Sequence, residues 1–370
     1  MNNLLITKKP KSKKKFNLLW APITALLCFI LGKLMKNHGE LLETYYSSTL
    51  NKWIIQGVSK ITGIFPFSLG EILYVGHLIA FPILVVLFIY KLIKGGFLPF
   101  LYKVLSYFCV VYIIFMVMWG FNYSRMSIGA MLDLEVGQYS KEELYKLTEA
   151  LIIKGNSLRE EVYESSDGVF YLAGGYKDIF SRSNKGYETI GENVKSLSGN
   201  YGRPKFIALS KPMLYTGITG MYFPFTAEVN VNTAIPDLLL PATVLHEIAH
   251  QRGFASEDEA NYIAYLTASI HPDIDFQYSG TVLALIHSMN ALLAQDPNLG
   301  NALMNTYSEE LKRDIQHYAS FWKVYEGKIN ETADKVNNIY LKSNGQEEGT
   351  KSYGRMVDLL ITHFIEYGAI

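Results

Sequence analysis

The stretch from Asp237 to Asn261, DLLLPATVLHEIAHQRGFASEDEAN, decides how the rest of the chain is read. Its centre is His246-Glu247-Ile248-Ala249-His250. In a helix, residues four apart lie on one face, so two imidazoles at this spacing can grip one metal ion. Glu247 follows His246 directly and is placed to take a proton from a water molecule that such a metal activates. The spacing predicts one helix from Asp237 to Arg252. Pro241 is tolerated in its first turn and Gly253 ends it. Leu238, Leu239, Leu240, Val244, Leu245, Ile248 and Ala249 make that helix a buried one. Burying two histidines and a glutamate is unfavourable unless they are used. The bland alternative is a pair of surface histidines on an amphipathic helix.

A catalytic zinc takes three protein ligands and keeps one open position. Gly253 can turn the chain back, and Ser256 caps a second helix running from Glu257 to about Ile270. Here the segment resembles gluzincin metallopeptidases, whose third-ligand helix often carries Glu-x-x-Ala-Asp. Glu257, Ala260 and Asn261 stand at those positions, with Asn in place of Asp. The resemblance implies that Glu257 is the third ligand and that Asn261 supports a ligand histidine. Glu259 is the competing third ligand, although Ser256-x-x-Glu259 also reads as a capping box. Asp258 is expected to point away.

Outward from this stretch, the N-terminal third is apolar. FNLLWAPITALLCFILG covers residues 16–32, ILYVGHLIAFPILVVLFIY covers 72–90, and FLPFLYKVLSYFCVVYIIFMVMW covers 97–119. Each run approaches the roughly 20 residues that cross a bilayer core of about 30 Å. No small-x-small cleavage site follows the first run, so it reads as an uncleaved anchor. Six lysines stand in the first fifteen residues, and no acid precedes Glu40. That bias keeps the N-terminus in the cytoplasm, and three crossings leave the remainder outside. Residues 1–15 thus read as a basic cytoplasmic tail, 16–122 as a membrane domain with three transmembrane helices, and 123–370 as an extracytoplasmic domain. His77, inside the second run, reads as a hydrogen bond to a neighbouring helix rather than as part of a proton path.

The chain has 34 basic and 34 acidic residues, which gives no electrostatic case for nucleic acid as a partner. Two cysteines, both in apolar runs, exclude a disulfide scaffold or a multi-cysteine zinc ribbon. Beyond the membrane part the fold class reads as α+β. Ser140 caps an amphipathic helix, and residues 177–198 read as a helix broken near Gly186. KFIALS, from Lys205, reads as a strand. YTGITGMYFPFTAEVNVNTA, from Tyr215, reads as a hairpin, hence a small antiparallel sheet. Helices near 279–295, 307–328 and 354–366 complete it, with a polar loop from Ser343 to Thr350.

Four segments, the metal-binding motif among them, carry a wider resemblance. They are WGFNYSR (119–125), YFPFTAE (222–228), HEIAHQRGFASEDEAN (246–261) and SYGRMVD (352–358). With the N-terminal spans, they make the chain similar to an uncharacterised bacterial membrane family, domain of unknown function 3810. The resemblance implies a zincin-like metallopeptidase domain and supplies no substrate.

The expectation is a multi-pass cell-membrane zinc metallopeptidase. His246, His250 and Glu257 hold Zn²⁺, and Glu247 is the general base that deprotonates the water attacking an unknown peptide or protein substrate. Tyr222 and Arg252 are candidates for stabilising the oxyanion. The strand Glu228–Asn232 is expected beside the cleft, aligning substrate by strand addition. His271, His287, His317 and His363 lack metal-ligand spacing. The alternative is a zinc-containing membrane receptor with little or no turnover, against which the intact Glu247 argues. A transporter lacks paired intramembrane charges and has too few spans.

Overall fold

A computed structural model describes residues 20–344 and 354–368. The basic tail, the first four residues of the first apolar run, and most of the loop read at 343–350 lie outside the described residues. So do Ser352 and Tyr353.

The described chain is mostly helical, with one small sheet. Helix α1 (Trp20–Met35) leads to a π-helical segment, Glu43–Asn51, and then α2 (Lys52–Thr62). Helices α3 (Leu69–Lys94) and α4 (Phe97–Met118) form an apolar pair. Helix α5 (Lys141–Arg159) precedes the strands β1 (Lys205–Phe206), β2 (Gly220–Phe223) and β3 (Glu228–Val231). Helices α6 (Leu240–Gln251), α7 (Glu257–Ser269) and α8 (Ile274–Gln295) follow, then α9 (Glu309–Lys323), α10 (Lys328–Ser343) and α11 (Gly354–Tyr367).

Two helices among the described residues, α3 and α4, are long and apolar enough to cross a membrane. That corrects the expectation of three. Helix α1 has 16 described residues, short of the usual length. The apolar side chains of α3, such as Leu78, Phe81 and Val86, face outward. This exposure is compatible with membrane association. His77 is hydrogen-bonded to Leu73 and to the Tyr107 hydroxyl on α4. The π-helical segment closes the end of α4. Tyr46 donates its hydroxyl proton to the Val117 carbonyl at 2.6 Å, and the Asn51 amide donates to Val117 and Met118. The last carbonyls of a helix need such donors.

The sheet corrects a second expectation. Its order is β1-β3-β2, antiparallel between β2 and β3 as the hairpin demands, but parallel between β1 and β3. It is therefore mixed, because the chain returns from β1 through helical turns before entering β2. Every residue of β3 is buried. The Glu228 carboxylate on β3 accepts from the backbone N–H groups of Leu69 and Gly70 and pairs with Lys205 on β1. Glu71 in turn accepts from Ala208 and Leu209. Carboxylates suit the positive N-terminal end of a helix, so these contacts fasten the start of α3 to the sheet.

The local signals around α5 hold. Ser140 and Glu143 form the reciprocal capping box. Leu144, Leu147, Leu151 and Leu158 point into the core against α8. Residues 175–191 are two helices, broken at Ser183 and Asn184 rather than at Gly186. The helix expected near 307–328 ends at Lys323, and a separate helix, α10, begins after Gly327.

Candidate metal centre

Helix α6 begins with Pro241 in its first turn, where no intrahelical donor is lost. It lies against β2 and β3 on one side and against α7 and α8 on the other. Gly253 ends the turn with φ +86°, a conformation glycine adopts freely. A Cβ there would meet the side chains of Arg125 and Asn122 at 3.1 Å. The chain then reverses, and α7 starts at Glu257 beside the two histidines.

His246 Nε2 lies 3.2 Å from Glu257 Oε2, and His250 Nε2 lies 3.6 Å from Oε1. One ligand atom from each of the three residues falls within 4.8 Å of the others. The far nitrogen of each ring is engaged. His246 Nδ1 donates to Asn261 Oδ1 at 2.8 Å, and His250 Nδ1 donates to the Phe254 carbonyl at 2.7 Å. Both bonds fix the ring so that Nε2 faces Glu257. A carbonyl oxygen behind a ligand imidazole is the usual support of a metal site. Burial works against a charged His250, but the Glu257 carboxylate overrides it and raises the imidazole pKa. Burial likewise opposes a charged Glu257, yet the two histidines hold it well below the usual carboxylate range. Two nitrogens and a carboxylate are a donor set that can hold a metal ion.

Glu247 lies on the sheet side of α6. It is 4% exposed, and its Oε2 has no hydrogen-bond partner. Burial raises its pKa, opposed by His246 and His250. The backbone of β2 presses on it, since a Cβ at Gly220 would meet Glu247 Oε1 at 2.5 Å. Gly220 is thus part of the site, although the sequence marks it only as turn chemistry.

The structure brings Glu257 to the histidines and takes Glu259 away. Glu259 Oε1 accepts from the Ile128 backbone N–H at 2.7 Å, and burial pushes its pKa up to about 7. The expected capping box does not form. The Ser256 hydroxyl donates to Asp258 instead, and Ser256 makes no cap bond. Asp258, as expected, is not in the ligand group.

Arg252 is a packing residue, not an oxyanion donor. Its guanidinium lies 3.9 Å from the Tyr187 ring centroid and donates to the Leu197 and Ile248 carbonyls and to Asn184. Tyr222 rests against Trp119 with ring centroids 5.0 Å apart, and its buried hydroxyl has no partner. Strand β3 is the centre of the sheet, so Glu228–Asn232 cannot accept a substrate strand; β2 is the edge beside Glu247.

Among the other histidines, His271 bonds to the Arg182 carbonyl and stacks on Phe276. His363 meets the Tyr262 hydroxyl. Burial, with the charge of His246 adding to it, pushes His287 down to about 4. None of them joins the ligand group.

Two tyrosines were not legible in advance. Trp119 stands edge-on to His250, with centroids 5.6 Å apart, and donates to the Tyr123 hydroxyl at 3.2 Å. Tyr123 donates to the Tyr340 hydroxyl at 3.1 Å. Burial raises both phenol pKa values, and the nearby Glu257 carboxylate adds to the effect. Their pairing spans 217 residues, so no local pattern announces it.

The chain belongs to the family described as Protein of unknown function (DUF3810), which matches residues 46–361 and so takes in the whole ligand group. No curated protein and no solved structure matches it.

Proposed function

We propose that this protein is a membrane-anchored zinc metallopeptidase that hydrolyses peptide bonds with Glu247 as general base. The observation that carries the reading is a buried, unpartnered Glu247 oxygen on the same helix as a preformed His246–His250–Glu257 ligand group. A purely structural metal site has no use for such a carboxylate. His246, His250 and Glu257 would hold the ion. Zinc, when bound there, supplies Lewis-acid activation of water and of the substrate carbonyl.

The protein's own residues do the rest. Asn261 and the Phe254 carbonyl hold the imidazoles in one orientation. Glu247 takes a proton from the attacking water and passes it to the leaving amine. Burial raises its pKa, which suits a group that must both accept and release a proton. The free edge of β2 is the strand that would align an extended substrate backbone. In this reading α3 and α4 cross the cell membrane.

Glu247→Gln in the full chain, compared with the wild type over a peptide library, tests this. The variant should keep its zinc and lose cleavage by at least about a hundredfold, the low end for acid–base catalysis. A receptor would be indifferent to the change. Equal cleavage at equal zinc content would sink the mechanism.

A further inference from the structure

Helix α10 presents its apolar side outward. Ile329, Val336 and Ile339 are each at least 60% exposed, while Leu341 on the opposite side is buried. At 3.6 residues per turn, Ile329, Val336, Ile339 and Tyr340 fall within about 100° of arc. Lys328, Lys335 and Lys342 recur every seven residues along one border of that stripe. Glu331 and Asp334 lie beyond the lysines, away from the apolar side. An exposed apolar stripe edged with lysines matches the plane where lipid chains meet anionic headgroups.

The helix is also tied to the right place. Tyr340, in its last turn, bonds to Tyr123, which belongs to the short 3₁₀ segment Gly120–Ser124 close after α4. Thus α10 is fastened one short turn from the end of a helix long enough to cross a bilayer.

We propose that α10 is an interfacial helix that lays Ile329, Val336 and Ile339 into an anionic lipid surface. It rests on the reading that α3 and α4 cross the membrane. Lys328, Lys335 and Lys342 pair with lipid phosphates, and the apolar stripe enters the layer beneath them. The same helix carries Tyr340 to Tyr123, and Trp119 links Tyr123 to His250, so docking on lipid steadies that side of the ligand group.

Spin labels on the full chain test this, with Cys28 and Cys109 changed to serine. Labels are attached at Val336→Cys, at Asn337→Cys away from the apolar stripe, and at Val86→Cys in α3. The protein is reconstituted in phosphatidylcholine vesicles, with and without phosphatidylglycerol. Collision with oxygen reports lipid, and collision with a water-soluble nickel chelate reports water.

The Val336 label should favour oxygen severalfold over the Asn337 label, and more so with phosphatidylglycerol. Lys328→Glu, Lys335→Glu and Lys342→Glu together should abolish the phosphatidylglycerol effect. If Val86 lies in lipid but Val336 is as wet as Asn337, the interfacial helix is wrong and the membrane reading stands. If Val336 is shielded from both probes, a protein partner covers the stripe and the proposal fails. If Val86 itself is in water, the membrane reading fails and takes this proposal with it.

Discussion

His246 donates its Nδ1 proton to Asn261 Oδ1 across 2.8 Å, and Asn261 stands one helical turn beyond Glu257 on α7. One helix thus delivers both the carboxylate that faces the histidine and the carbonyl that orients it. Asn261→Ala should leave the fold intact and lower metal affinity about 10- to 100-fold, the usual loss for such supports. Competition with a chromogenic chelator would measure it. Unchanged affinity would mean that packing alone orients the ring.

Glu257 and Glu259 are separable by two different readouts. Glu257→Ala should abolish most zinc binding in elemental analysis. Glu259→Gln should keep the zinc, because the amide oxygen still accepts the Ile128 N–H. Burial raises the Glu259 pKa to about 7, so the folded state prefers its protonated form. Its stabilising effect is complete below the ordinary carboxylate pKa and is lost as pH rises through about 7. Glu259→Gln should therefore flatten the fall in Tm over that window. A variant that loses zinc instead would reverse the assignment.

Metal affinity should rise with pH. His250, paired with Glu257, has a pKa above the ordinary histidine value and carries a proton near neutrality in the metal-free protein. A metal ion must displace that proton, so binding releases it. Apparent affinity should climb from mildly acidic to mildly alkaline pH and level off once His250 is neutral. Titrations in buffers of different ionisation enthalpy would count the released protons. A flat profile would contradict the pairing.

The core that follows α4 has its own ion pair. Arg159 Nε lies 2.6 Å from Asp314 Oδ2, and both side chains are almost wholly buried. Asp314 also accepts from the Phe170 N–H and the Tyr278 hydroxyl. Asp314→Ala leaves Arg159 without its buried partner and should destabilise the fold by about 3–5 kcal/mol. Denaturant unfolding would show it. A loss under 1 kcal/mol, the scale of an exposed pair, would mean that water reaches Arg159.

Some of this protein is written in short stretches of sequence. The helix α6, its first-turn Pro241, its terminating Gly253 and the pairing of His246 with His250 depend on residues within a few turns of each other. The same holds for the capping box at Ser140 and for the apolar lengths of α3 and α4. Helix geometry makes such features local, so spacing alone determines them. The hairpin of β2 and β3 was legible for the same reason.

Other features needed the chain to return on itself. Glu257 and Glu259 are two residues apart and point in different directions; only the approach of Ile128 and of the histidines decides which one is the ligand candidate. The parallel pairing of β1 with β3, the fastening of Glu228 to the start of α3, and the meeting of Tyr123 with Tyr340 join distant segments. Helix α10 shows the limit most plainly. Its apolar spacing is that of a packed helix, but the neighbours it meets leave Ile329, Val336 and Ile339 outside. Periodicity tells which residues share a face. What that face meets is set by tertiary packing, because contacts between remote segments follow from the folded path and not from any local repeat.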